Sequence, residues 1–151
     1  MGDFDFLIGR WDIHNRRLSR LLCGSDEWDE FPAHSEVRSL LDGLANIDEI
    51  AFPTMWSAGV TLRVFDPVNE EWSSHFANNQ TGHLFPPMVG RFTDGVGVLV
   101  GEDFFRGRPV KVRFVWSGTT TDNPRWEQAF SPDDGATWEV NWTMDLTRAQ
   151  P

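Results

Sequence analysis

Along most of this chain apolar and polar residues alternate one for one, the period of an extended strand whose side chains point to opposite faces. The plainest case lies near the C-terminus. There Trp138, Val140, Trp142, Met144 and Leu146 share one face, and Glu139, Asn141, Thr143 and Asp145 take the other. Just upstream, Trp126, Gln128 and Phe130 alternate with Arg125, Glu127 and Ala129. A hairpin that sets Phe130 opposite Trp138, Gln128 opposite Val140 and Trp126 opposite Trp142 brings the two apolar faces together. The same alternation turns Val110, Val112, Phe114 and Trp116 inward. It does likewise for Val96, Val98 and Val100, for Trp72, Ser74 and Phe76, and for Val60, Leu62 and Val64.

Turn formers punctuate these segments, among them Asp42-Gly43, Asp66-Pro67-Val68-Asn69, Asn79-Gln80-Thr81-Gly82, Asp94-Gly95 and Arg106-Gly107. No long amphipathic helix intervenes, so the pattern is that of a meander. At the start, Phe4, Leu7 and Ile8 are spaced as the inner face of one helical turn over residues 3 to 8, followed by Gly9-Arg10-Trp11. The predicted fold is all-β: a single antiparallel up-and-down barrel of about eight to ten strands, closed at one end by that turn and Trp11.

Composition narrows the picture. At 151 residues the whole chain, 1–151, is expected to form one domain. A formal charge of −10 argues against nucleic acid and anionic membranes, since phosphate recognition needs a basic stripe. There is neither a cationic leader with an apolar run nor a long apolar segment, and the lone Cys23 suits a reducing compartment, so a cytoplasmic protein is expected. The segment from Ser131 to Trp138 fits Ser-x-Asp-x-Gly-x-Thr-Trp, the Asp-box of sialidase propellers. One copy cannot build a propeller, so it reads as a fastened hairpin in which the Asp caps backbone amides.

With Gly9-x-Trp11 opening the first strand, the chain resembles the calycin (lipocalin-like) superfamily. More closely, it resembles bacterial lipocalin-like proteins of the DUF1579 type. The residues that carry this are Phe-Asp-Phe-Leu-x-Gly-x-Trp at Phe4 to Trp11 and the segment from Arg125 to Trp142. The resemblance implies a barrel with an internal cavity, and a basic side chain, here Arg148, packed over the Trp11 indole as a structural contact.

Polar residues on inward faces are the candidates for chemistry: Asn15, Arg17, Glu49, Ser74, Asn78, Glu102 and Gln128. Arg17 could anchor a carboxylate or carbonyl, with Ser74 and Gln128 as hydrogen-bond partners; equally, Arg17 could pair with Glu49 or Glu102 at a wet rim. Trp116, Trp126, Trp138 and Trp142, with Phe114 and Phe130, form an aromatic wall suited to a flat ligand. The histidines are scattered, at His14, His34, His75 and His83, which gives neither a metal set nor a haem site, and no cofactor is expected. Cys23 has no adjacent base.

The reading is a small-molecule binder whose lumen takes a compact, largely apolar, aromatic or polycyclic molecule. The alternative is a cofactor-free cyclase, isomerase or dehydratase of natural-product or xenobiotic metabolism. Its acid or base would be Glu49, Glu102 or Glu127, the last facing outward unless its strand carries a bulge. A homodimer through Leu18 to Leu22 is the interaction-based alternative.

Overall fold

The computed structural model describes residues 2–150; Met1 and Pro151, the ends of the expected domain, lie outside the described residues. Ten strands follow one another: β1 (Gly9–Leu18), β2 (Trp28–Leu40), β3 (Ala45–Phe52), β4 (Ser57–Asp66), β5 (Glu71–Asn78), β6 (Met88–Thr93), β7 (Val96–Phe105), β8 (Arg108–Ser117), β9 (Arg125–Ser131) and β10 (Glu139–Arg148). Each pairs antiparallel with the next, and β1 also pairs with β10, so the sheet closes into a barrel without edges. Among the described residues, helix is confined to three short 3-10 turns, at Asp5–Leu7, Leu41–Gly43 and Pro53–Met55.

The first of these turns plugs one end. Phe4, Leu7 and Trp11 are almost fully buried, and Phe4 meets Trp72 and Phe92 edge-on, both at 4.9 Å between ring centroids. Burying side chains of this size stabilises the fold by about 1.5–3 kcal/mol each. Trp11 donates its indole N–H to the Leu7 carbonyl at 2.8 Å. Arg148 lies 3.9 Å over the Trp11 ring and donates to the carbonyls of Ile8 and Phe6. Gly9 has φ 124° and lies directly under the Arg148 guanidinium, so a Cβ there would meet both a strained backbone and an occupied space.

Two inward sets need correction. In β7 it is Gly97, Leu99 and Gly101 that face inward, with Leu99 1% exposed, while Val96, Val98 and Val100 are 40%, 41% and 50% exposed. The reason is room: a Cβ on Gly97 would meet the Phe92 ring at 2.6 Å, and one on Gly101 the Met88 sulfur at 2.6 Å. In β4 the interior takes Gly59, Thr61 and Arg63, leaving Val60 and Leu62 outside; Gly59 makes space for Phe76 from β5.

The last hairpin also differs in register. Glu139 pairs with Phe130 and Val140 with Ala129. A bulge at Asn141 then sets Trp142 opposite Gln128 and Met144 opposite Trp126. The extra residue reverses the phase, so Trp142, Met144 and Leu146 reach the lumen while Trp138 stays outside, under Arg113 at 4.4 Å. Leu18 is 4% exposed and Leu22 packs against the core, so the Leu18 to Leu22 stretch is not an open apolar surface.

Candidate functional site

Between the plugged end and the opposite mouth lies a cavity of about 370 Å³. One wall comes from β8, β9 and β10 and is aromatic: Phe114, Trp116, Trp126, Phe130 and Trp142. Phe114 and Trp126 meet at 5.0 Å, and Trp126 and Trp142 at 5.8 Å, near perpendicular in the second case. Trp142 is held from behind, donating to Asn15 Oδ1 at 3.0 Å, while Asn15 donates to the Phe31 carbonyl at 3.2 Å. These rings have fixed positions and present faces and edges inward.

The facing wall, from β3, β4 and β5, carries polar groups: Asp48, Thr61, Arg63, Ser74 and Asn78. Arg63 donates to Asp48 Oδ2 and to Asn46 Oδ1, both at 3.0 Å, and its guanidinium lies 5.4 Å from the Phe4 ring. Asp48 and Arg63 are 8% and 5% exposed. This buried pair was missed because the sequence reading turned Glu49 and the β4 aliphatics inward. The signal was present in β3 itself, where Asp48 shares a face with Ile50 and Phe52, whereas Glu49 shares one with Ala51.

Of the candidates from sequence, Arg17, Ser74, Trp116, Trp126, Gln128 and Trp142 all line the cavity. The three glutamates do not gather there. Glu49 is exposed on the outer face, because its neighbours Asp48 and Ile50 take the inward positions. Glu127 is also outside, 3.1 Å from Arg125, which binds Asp145 as well at 2.8 Å. Burial opposes the charge on Arg125, yet the hydrogen bonds it donates to Glu127 and Asp145, with their negative charges, outweigh it and raise the Arg125 pKa. Glu102 is exposed at the rim and borders the mouth beside the half-buried Asp103.

Arg17 is half-buried near the open end of β1, its guanidinium 5.1 Å from the Trp142 ring and 5.2 Å from Phe31. Gln128 donates from Nε2 to Asn141 Oδ1 at 2.9 Å, so its carbonyl oxygen remains as an acceptor toward the lumen. The Ser74 hydroxyl makes no hydrogen bond to another side chain or to backbone among the described residues. Neither Glu49 nor Glu102 lies within ion-pair distance of Arg17, so the rim pairing considered from sequence does not form. Among the described residues no group of three His, Cys, Asp or Glu converges as a metal site. No helix among the described residues is long and apolar enough to cross a membrane.

No protein-family model matches the chain, and no curated protein matches it in sequence. Among solved structures it is similar to the S-type phycobiliprotein lyase CPES from Guillardia theta. The TM-score is 0.54 at 10% identity, over 98% of this chain and 91% of that one. At that identity the likeness is one of fold, a closed antiparallel β-barrel.

Proposed function

We propose that the chain, residues 1–151 as one domain, binds a compact, flat, largely aromatic molecule in the lumen of its barrel. The observation that carries this reading is the wall of Phe114, Trp116, Trp126, Phe130 and Trp142 around a cavity of about 370 Å³. A cavity in the range of roughly 300–1,000 Å³ with few polar groups suits a small organic ligand. The fold shared with a phycobiliprotein lyase supports use of the lumen, as does the resemblance to DUF1579-type proteins at Phe4 to Trp11 and Arg125 to Trp142. A cytoplasmic location remains part of this reading.

Native mass spectrometry against two- and three-ring neutral aromatics tests it. A one-to-one complex that saturates, and that Trp142→Ala weakens, is expected. No complex, or one indifferent to Trp142→Ala and Trp126→Ala together, would overturn the reading. Gln128→Leu should weaken ligands with a hydrogen-bond donor by about 1–3 kcal/mol and leave purely apolar ones unchanged.

One observation favours the enzymatic alternative, a cofactor-free isomerase, cyclase or dehydratase: buried Asp48 lines the cavity, and its Oδ1 accepts no hydrogen bond. The reading then places acid–base work on Asp48 or Glu102 rather than Glu49 or Glu127. Turnover that survives both Asp48→Asn and Glu102→Gln would remove it.

A further inference from the structure

Two arginines line the lumen, and they are in opposite states. Arg63 is satisfied by Asp48 and Asn46 and rests against the plugged end. Arg17, near the mouth, donates to no oxygen of the protein and has no carboxylate within 4.0 Å, among the described residues. The chain has 23 acidic side chains against 13 basic ones, yet none is spent on this guanidinium. Its position is nonetheless fixed. Phe31 and Trp142 lie 5.2 Å and 5.1 Å from its central carbon, and Trp142 is itself anchored through Asn15. Aromatic contacts use the planar faces of a guanidinium and leave its edge, with the N–H donors, available for a planar two-oxygen acceptor.

From this we infer that the ligand is an aromatic acid, its rings on the Trp126–Trp142 wall and its carboxylate on the edge of Arg17. The inference rests on the lumen-binding reading and names its ligand class. A neutral carbonyl would satisfy one donor and leave the charge uncompensated, whereas a carboxylate satisfies two donors and the charge together. Ser74 and the Gln128 oxygen lie on the lumen wall, where they would meet polar atoms elsewhere on the ligand.

Isothermal titration with 2-naphthoic acid and with its neutral isostere 2-naphthamide separates the possibilities, in the unaltered protein, Arg17→Gln and Arg17→Lys. At neutral pH the acid is expected to bind roughly tenfold to a hundredfold more tightly than the amide, the range for hydrogen bonds to charged groups. Arg17→Gln should abolish that preference while leaving amide affinity within about twofold, and Arg17→Lys should restore part of it because a point charge replaces a fork. The preference should also vanish as pH falls and the acid protonates. Equal affinity for acid and amide, or an Arg17→Gln variant that loses both alike, would overturn the inference while the aromatic cavity stands. Failure of both probes to bind the unaltered protein would overturn the lumen reading and this inference with it.

Discussion

The two ends of the barrel solve the burial of polar groups differently. At the plugged end four large side-chain donors have protein acceptors, while Asp48 Oδ1 receives no donor among the described residues. Trp11 donates to Leu7, Trp72 to Asp3, Arg148 to two carbonyls, and Arg63 to Asp48 and Asn46. At the mouth Arg17 has rings but no acceptor, and Gln128 keeps its carbonyl oxygen free of any protein donor among the described residues. Satisfied polar groups fix a fold; unsatisfied ones held in place by packing are what a ligand can complete. The difference assigns structure to one end and recognition to the other.

The sharpest way to break this comparison is at the floor. Asp48→Ala would leave the Arg63 guanidinium buried with Asn46 alone, and should cost about 3–5 kcal/mol in urea unfolding, the usual penalty for stranding a buried charge. A loss under about 1 kcal/mol would mean that water reaches the pair, and the floor would then resemble the mouth. Next comes Arg148→Ala. It removes a cation–π contact with Trp11 and two hydrogen bonds to carbonyls, at a cost of about 1–2 kcal/mol because the side chain is partly in water. At the other end, Arg17→Gln should shift unfolding by about 1 kcal/mol or less, since it loses ring contacts but no hydrogen bond or ion pair within the protein. A large loss there would make Arg17 a structural residue after all.

Much of the frame was legible in the chain because the alternation of Trp126, Gln128 and Phe130, and of Val110 to Trp116, is not interrupted. The plug was legible because Phe4, Leu7 and Trp11 have no other apolar surface to meet. Where the reading failed, size rather than hydrophobicity decided. Val96-Gly97-Val98 looks like inward valines, but Phe92 fills the space that only a glycine leaves. In β4, Val60 and Leu62 yield the interior to Arg63 because Asp48 across the pair compensates its charge, a pairwise fact that single-strand alternation cannot register. The bulge at Asn141 was equally invisible. Its polar side chain reads as outward until the extra residue turns it into the partner of Gln128. These same misreadings displaced the carboxylate of the lumen from Asp48 to Glu49.

The smallest expected effects lie in two exposed turns, one at each end, and they compare how each end is fastened. At the mouth, Asp133 accepts from the Thr137 hydroxyl at 2.6 Å, the Thr137 amide at 2.8 Å and the Ser131 hydroxyl at 2.8 Å. Those hydrogen bonds, led by the Thr137 hydroxyl, hold its pKa below the ordinary carboxylate value. At the floor, Asp66 accepts from the Asn69 side chain at 2.8 Å and from the Val68 and Asn69 amides at 2.9 and 3.2 Å. Its pKa is lowered too, first by the Asn69 side chain. A folded-state pKa below the unfolded one means the ionised form favours the fold. The contribution is therefore complete above the ordinary carboxylate range and fades as pH falls through the folded value. In an acid titration followed by NMR, the Thr137 amide should report Asp133, and the Val68 and Asn69 amides Asp66, all inflecting below the ordinary range. Asp133→Asn should flatten the first and spare the second, and Asp66→Asn the reverse. An inflection at or above the ordinary range at Thr137 would mean that the mouth hairpin is open in solution, and the fixed rim that presents Arg17 would have to be given up.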